Sequence, residues 1–83
     1  MQQKQLDEET RKFLGMIAEN MGQAVDLIEE GKIVLSLRDS LATTILACQL
    51  LGKHYGFNMA EGVSEVSMRY YDDLFRQEEA AKK

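Results

Sequence analysis

Three acidic side chains have the type and spacing that a divalent metal site requires. Glu19 and Asp26 lie one heptad apart in a helical pattern, and Asp39 stands near the start of the next pattern. Magnesium binds hard oxygen ligands that converge in an octahedron, and it usually keeps several waters. Because acids are common on protein surfaces, the alternative is that these carboxylates belong to a solvated helix face.

The chain has one cysteine, Cys48, and one histidine, His54. A nucleophilic thiol needs a base within hydrogen-bond reach, but Cys48 lies in an apolar stripe and His54 stands at the end of the same pattern. A cysteine in such a stripe is usually a packing residue. One Cys and one His also exclude an internal disulfide and the usual structural zinc site. We therefore expect no cofactor, with Mg²⁺ required only if the chain is an enzyme.

Arg69, Tyr70 and Tyr71 place a cation beside two phenols. Arginine and tyrosine are favoured at protein interfaces, and both stack on nucleobases. The three residues are candidate contacts to a ligand or partner. The alternative is that Tyr70 belongs to the core and that Arg69 pairs with Glu65 or Asp73 at helical spacing.

Length and charge limit the possible classes of protein. Eighty-three residues allow one domain, and an apolar fraction of 45% is typical of a globular chain. A net charge of −4 argues against binding to a nucleic acid backbone. No apolar run reaches the length of a membrane span, and residues 1–9 lack the apolar core of a signal peptide. We expect a cytoplasmic protein without membrane contact.

The first amphipathic pattern predicts a helix from Leu6 to the neighbourhood of Gly31, the natural left-handed residue at its end. Its predicted buried stripe is Phe13, Ile17, Met21, Ala24 and Ile28, widened by Leu14, Val25 and Leu27. Gly15 and Gly22 fall inside the pattern, where each costs about 1 kcal/mol relative to alanine. Their presence predicts a close approach of another helix.

A short apolar connector, residues 33–35, precedes the second predicted helix. Ser36 followed by Asp39 resembles a capping box that would start this helix. Gly52 and Gly56 bracket its end. The predicted buried stripe is Leu37, Leu41, Ile45, Cys48 and Leu51, with Leu46 and Leu50 beside it. Because this helix is apolar on two sides, we expect it to be central.

A second capping signature, Asn58 followed by Glu61, predicts the start of a third helix. Two apolar strips follow, the first formed by Met59, Val63, Val66, Tyr70 and Leu74 and the second by Met68, Tyr71 and Phe75. The predicted fold is all-α, a single domain over residues 1–83 with frayed termini at about 1–5 and 77–83. No proline interrupts any of the three patterns.

Three short helices cannot cover this much apolar surface, so a helical bundle completed by homodimerisation or higher self-association is expected. The predicted oligomer core consists of Leu41, Ile45, Leu46 and Leu50.

Residues 35–41, 47–52 and 59–75 together resemble the C-terminal half of the MazG-like all-α nucleoside triphosphate pyrophosphatases. In that family an acidic ExxD turn opens a helix that ends in a Leu-Gly pair, and the next helix ends in a basic, aromatic stretch. Residues 19–24 stand where the family has an EExxE-type run. The similarity covers about residues 13–76.

The resemblance implies cleavage of nucleoside triphosphates to monophosphate and pyrophosphate, with magnesium held by carboxylates of both motifs. Glu19 matches the first Glu of EExxE, but Asn20 and Gln23 replace the other two. Asp39 matches the Asp of ExxD, whose Glu is Ser36 here. Three of the five expected metal carboxylates are therefore neutral, although Glu19 and Asp39 remain candidate metal ligands.

The phosphate-facing residues of the family are also altered. An Asn and a Lys that family members often use fall on Ser64 and Val66, while Arg69 keeps a basic residue. A site that has lost most of its charge should bind magnesium weakly and turn over slowly or not at all. The resemblance thus implies a member that kept the scaffold and lost the chemistry.

The sequence leaves three functions open. The first is a small homo-oligomeric binding or accessory protein of bacterial or bacteriophage type, whose ligand is a protein surface or a nucleotide-type small molecule. Its candidate contacts are Asn20, Gln23, Arg69, Tyr70 and Tyr71. The second is a weak magnesium-dependent nucleotide pyrophosphohydrolase that uses Glu19 and Asp39, with Asp26 or Glu30 in supplementary roles. The third is a pure protein–protein interaction module.

Overall fold

The computed structural model describes residues 6–81, which form three α-helices and no strand. These are α1 (Glu8–Glu29), α2 (Leu35–His54) and α3 (Met59–Ala81). The prediction of an all-α, three-helix chain is confirmed. Across these described residues, no helix is both long enough and apolar enough to cross a membrane.

The predicted fraying of the termini is only partly open to comparison. Residues 1–5 and 82–83 lie outside the described part of the chain. α3 continues through Ala81, so residues 77–81 are helical in this structure.

Both ends of α1 are fixed by local hydrogen bonds. The side chain of Asp7, the N-cap residue, accepts the backbone N–H of Thr10 at 2.7 Å. At the other end Gly31 has a φ of 74°, and the N–H of Lys32 bonds the carbonyl of Leu27 at 2.8 Å. This is the Schellman geometry that a left-handed glycine permits. The predicted role of Gly31 is confirmed.

α2 begins at Leu35, before the predicted cap. Val34 is the N-cap residue, with extended backbone (φ −126°, ψ 175°) and no side-chain hydrogen bond to the helix. An N-cap residue must itself be non-helical, and Ser36 already lies inside the first turn. The predicted capping role of Ser36 is therefore wrong.

α1 and α2 form an antiparallel hairpin that contains all the buried apolar residues among those described. The line along which the two helices meet is called the seam here. It consists of Thr10, Phe13 and Ala24 on α1 and of Leu37, Ser40 and Ala47 on α2. Four of these six side chains are small, so the seam buries little side-chain volume.

The large apolar residues lie mostly outside the seam, which corrects the predicted buried stripes. Met21 and Ile28 of α1 are each about half exposed, as is Leu41 of α2. Ile45 is 59% exposed. These positions lie beside the seam rather than in it; on α2, Ser40 makes the contact in place of its neighbour Leu41.

Gly15 and Gly22 also differ from expectation. A Cβ atom built at either position would have no heavy atom within 4 Å. The close helix approach predicted at these glycines does not occur within a single chain.

α3 projects away from the hairpin and has no buried residue. The thioether of Met59 lies so close to the Cα of Gly52 that a Cβ there would collide with it. The radius of gyration of the chain is 16.9 Å, whereas a compact domain of this length has about 12 Å. The fold of one chain is thus a hairpin with an extended arm rather than a closed bundle.

Candidate functional site

The acidic candidates do not assemble into a metal site. Glu19 and Asp39 are both exposed. Asp39 accepts two bonds from the guanidinium of Arg38, at 2.9 and 3.1 Å. Among residues 6–81, no group of three or more Asp, Glu, His or Cys side chains is arranged to hold a metal ion.

A cavity of about 300 Å³ nevertheless lies between α1 and α2 near their connection. Its lining residues are Gln23, Asp26, Leu27, Glu30, Ser36 and Ser40. The Ser40 hydroxyl donates to Oε1 of Gln23 at 3.3 Å, which joins the two helices across the cavity. Gln23 and Ser36, two positions that the MazG resemblance assigns to metal ligands, therefore meet at one place.

The cavity is lined by one amide, two hydroxyls, two carboxylates and the side chain of Leu27 rather than by a full set of metal ligands. Glu19 and Asp39 are not among its lining residues. The Asn20 amide is used locally, since it donates to the carbonyl of Met16 at 2.8 Å. Without added carboxylates, such a cavity suits a neutral or weakly charged polar ligand better than a magnesium–triphosphate complex.

Arg69, Tyr70 and Tyr71 are all exposed on α3. Tyr70 is 62% exposed, so its predicted core role within one chain is wrong. The two phenol rings meet edge to face, with centroids 5.4 Å apart. On the described part of α3, the ion pair found joins Arg76 to Asp72, and none within 4 Å involves Arg69. These three side chains are thus free to contact a partner.

The most connected polar cluster joins residues that are far apart in sequence, at the open end of the hairpin. His54 Nε2 lies 3.0 Å from Oδ2 of Asp7. The hydroxyls of Thr10 and Tyr55 lie 2.6 Å apart. This cluster connects the first turn of α1 to the last turn of α2, and it was not foreseen from the sequence.

The cluster shifts the ionisation of Asp7. The hydrogen bond from the His54 ring and then the backbone N–H of Thr10 lower the pKa of Asp7 to about 2, from an ordinary value of 3.8. Both bonds favour the ionised carboxylate, because a carboxylate can only accept. Asp7 is therefore an anionic anchor for His54 at neutral pH.

The cluster contains a hydroxyl, an imidazole and a carboxylate, but their pairing does not create a nucleophile. A base-activated hydroxyl would have to bond the imidazole. Here the Thr10 hydroxyl bonds Tyr55, while His54 bonds Asp7. Thr10 is also only 3% exposed. The arrangement holds the hairpin closed and gives substrate no access to the hydroxyl.

One sequence signal would have indicated this cluster. Asp7 is an N-cap residue, and His54 and Tyr55 stand at the end of the next helix. In an antiparallel hairpin these two helix ends lie side by side, so polar residues at both ends are natural partners.

No family model, curated protein or solved structure matches this chain in comparisons of sequence and structure. The resemblance to the MazG-like family therefore rests on short motifs and stays a prediction.

The hydrogen bond between the hydroxyls of Thr10 and Tyr55 should stabilise the hairpin, because it satisfies the buried Thr10 hydroxyl. In Tyr55→Phe the buried Thr10 hydroxyl loses its partner, and the free energy of unfolding should fall by about 1–3 kcal/mol. The double variant Thr10→Val/Tyr55→Phe should recover most of this loss, because no polar group is then left unpaired. Urea unfolding of the three proteins measures both effects. A double variant no more stable than Tyr55→Phe would contradict this assignment.

The Asp7 interaction predicts a pH-dependent stability. Because the folded pKa of about 2 lies below the ordinary value of 3.8, the contribution is fully present above about pH 4 and is lost as the pH falls toward 2. The melting temperature of the wild-type chain should fall across this window. Asp7→Asn keeps a side-chain cap for the helix but removes the charge, so its melting temperature should fall less. If the melting temperatures of the two proteins fell equally between about pH 4 and about pH 2, the Asp7 carboxylate would make no pH-dependent contribution to stability.

Proposed function

We propose that this chain is a homo-oligomeric helical binding protein that acts through its contact surfaces rather than by catalysis. The observation that carries the proposal is the amount of uncovered surface. The accessible surface of the chain is 7244 Å², whereas a compact monomer of this mass exposes about 5000 Å². A chain that leaves this much surface uncovered, much of it apolar, gains stability when another chain covers it.

The oligomer core consists of Leu41, Ile45, Leu46 and Leu50 on α2. All four side chains are exposed in the single chain. By the helical repeat of about 100° per residue, Leu41 and Ile45 lie on one flank of α2, and Leu46 and Leu50 lie on the other. Copies of the chain cover both flanks, which makes α2 the central helix of the assembly.

The proposed ligand is a protein surface or a nucleotide-type small molecule, bound in the cytoplasm. Gln23 borders the cavity between α1 and α2, and the exposed Arg69, Tyr70 and Tyr71 offer a cation and two stacking rings. Asn20 completes the set of proposed contacts. The single thiol, Cys48, suits a reducing compartment.

One observation favours a second function, a weak magnesium-dependent nucleotide pyrophosphohydrolase. Asp26 and Glu30, the two residues to which this function assigns supplementary roles, both line the cavity. A third possibility is a pure interaction module, which would share the oligomer core and bind no small molecule.

Self-association is tested by the mass of the chain in solution. Wild-type protein should sediment as a multiple of the 9.4 kDa chain. Ile45→Asp and Leu46→Asp probe the two flanks of α2, and each should give a smaller assembly because an interface would bury an unpaired carboxylate. Both positions are exposed in one chain, so neither change should alter the free energy of unfolding of a monomer by more than about 0.5 kcal/mol.

Gln49→Asp is the matched control for these two variants. It adds the same charge to an exposed position of the same helix, outside the proposed core, and should leave the mass unchanged. A wild-type chain that sediments at 9.4 kDa would overturn the proposal. If the assembly of Leu46→Asp has the same mass as that of the wild type, the flank of α2 with Leu46 and Leu50 does not belong to the oligomer core.

Ligand binding is tested by melting the protein with nucleoside tri-, di- and monophosphates and cyclic dinucleotides, with and without Mg²⁺. A ligand at one hundred times its Kd adds about 2.7 kcal/mol, which is a shift of several degrees for so small a domain. We expect a shift that does not depend on metal.

Two other outcomes of this panel would replace the proposed function. A magnesium-dependent shift together with pyrophosphate release that Asp39→Asn abolishes would favour the enzyme. A panel without any shift would favour the pure interaction module.

A further inference from the structure

α3 is an amphipathic helix whose apolar surface is exposed beyond Met59, the residue that contacts Gly52. Two strips of large side chains run along it, one formed by Val63, Val66, Tyr70 and Leu74 and the other by Met68, Tyr71 and Phe75. Leu74 is 38% exposed and each of the others more than half. The remaining face carries most of the charged residues of the helix. A helix of this kind is stable in a protein mainly through packing of its apolar side, and one chain provides no such packing.

The direction of α3 is fixed by its connection to α2. Gly56 has a φ of 81°, and the N–H of Phe57 bonds the carbonyl of Gly52 at 2.9 Å in a second Schellman geometry. The side chain of Asn58 then caps α3 by accepting the N–H of Glu61 at 3.1 Å. With both helix ends capped, the connection holds α3 away from its own hairpin.

The hairpin carries an apolar surface of matching kind. The helical repeat of about 100° per residue places four exposed apolar residues of α1 about a quarter turn around the helix from the seam. Two exposed apolar residues of α2 lie about a quarter turn around their own helix from the seam. Because the two helices are antiparallel, these two groups of residues lie on the same side of the hairpin. This apolar side consists of Leu14, Met21, Val25 and Ile28 of α1 and of Leu41 and Ile45 of α2.

The cavity described above opens on the opposite side of the hairpin. Its lining residues Gln23, Asp26 and Glu30 lie on the other flank of α1 by the same helical repeat. The apolar side therefore has no polar site of its own, and covering it leaves the cavity open.

The length of the apolar side is similar to that of the apolar strips on α3. From Leu14 to Ile28 it is about 21 Å long, and the apolar strips of α3, from Val63 to Phe75, are about 18 Å long. Gly22 stands beside this surface with nothing within 4 Å of an added Cβ.

The uncovered area is that of a stable dimer. The chain exposes about 2200 Å² more than a compact monomer of its mass. Obligate homodimers bury about 1000–2500 Å² on each partner. The excess is therefore of the size that one reciprocal contact with a second copy buries.

The charge of α3 disfavours a lipid surface as the alternative occupant. Helices that lie on anionic membranes carry Lys and Arg on the polar face. α3 has two basic residues, Arg69 and Arg76, against six acidic ones: Glu61, Glu65, Asp72, Asp73, Glu78 and Glu79. This helix would be repelled by such a membrane.

We infer that α3 of one copy docks on the apolar side of the hairpin of a second copy, and that the two copies exchange their α3 helices reciprocally. Each half of the dimer is then a three-helix bundle built from α1 and α2 of one chain and α3 of the other. The inference rests on the proposed self-association and specifies which surfaces make it. In this dimer Tyr70 and Tyr71 contact the second copy, and Asn20, Gln23 and Arg69 remain as the proposed ligand contacts.

Cross-linking between single-cysteine variants tests the exchange in the full-length chain with Cys48→Ala. Met21→Cys marks the centre of the apolar side, and Val66→Cys or Tyr70→Cys, one turn apart, marks the centre of α3. Two such variants are mixed in urea, refolded together and treated with a short bis-maleimide. The mixture should give a cross-linked species of twice the chain mass, and circular dichroism checks that every variant keeps its helices.

Glu65→Cys, on the charged face of α3, is the matched control and should give little mixed product with Met21→Cys. Three results would overturn the exchange. They are strong cross-linking of Met21→Cys to itself without mixed product, an intrachain product in the double variant Met21→Cys/Val66→Cys, and no mixed product from an assembled protein.

The same experiment separates this inference from the proposed self-association. If wild-type protein has the mass of one chain, self-association itself fails and the exchange fails with it. If wild-type protein is assembled but the mixed product is absent, only the exchange is wrong.

Discussion

The two helices of the hairpin meet along small side chains, and the rest of the structure depends on how close this lets them come. Thr10, Ala24, Ser40 and Ala47 form most of the seam, and Phe13 and Leu37 are the two large side chains buried in it. Other large residues such as Met21 and Ile45 are displaced to the flanks of the hairpin. A narrow seam also buries few apolar groups, and a chain of this length already has little core to stabilise it. Close helix packing inside one chain thus produces the apolar surface outside it.

The small residues of the seam also explain which features of the structure could be predicted from the sequence and which could not. Three helices, the left-handed Gly31 and the Asn58 cap follow from local patterns, and the structure agrees with all three. The seam could not be predicted in this way, because periodicity identifies an apolar stripe but does not say whether its large or its small members make the contact. On α2 the two choices differ by one residue, from Leu41 to Ser40, and the helical repeat turns that difference into about a quarter turn.

The candidate site shows a similar division between local and distant contacts. Neutral residues at Ser36 and Gln23 already predict a weakened metal site, and the structure adds that these two positions border one cavity. The cluster at the open end of the hairpin joins residues 45 and 47 positions apart, so only the packing of the two helices brings it together. His54 is the only histidine of the chain, and its imidazole is hydrogen-bonded to Asp7. It is therefore not placed to act as a base or metal ligand elsewhere.

The rigidity of the connection between α2 and α3 determines where the apolar surface of the arm can be covered. A flexible linker of the same length would let α3 fold back on its own hairpin, since closing a short loop costs little entropy. Two capped helix ends with Phe57 alone between Gly56 and Asn58 remove that freedom. The same apolar contact is then available mainly from a second chain, and forming it costs translational entropy that an intrachain contact does not. In the proposed dimer the stability of the fold would depend on protein concentration, as in obligate dimers, and the hairpin of one chain would be only part of the cooperative unit.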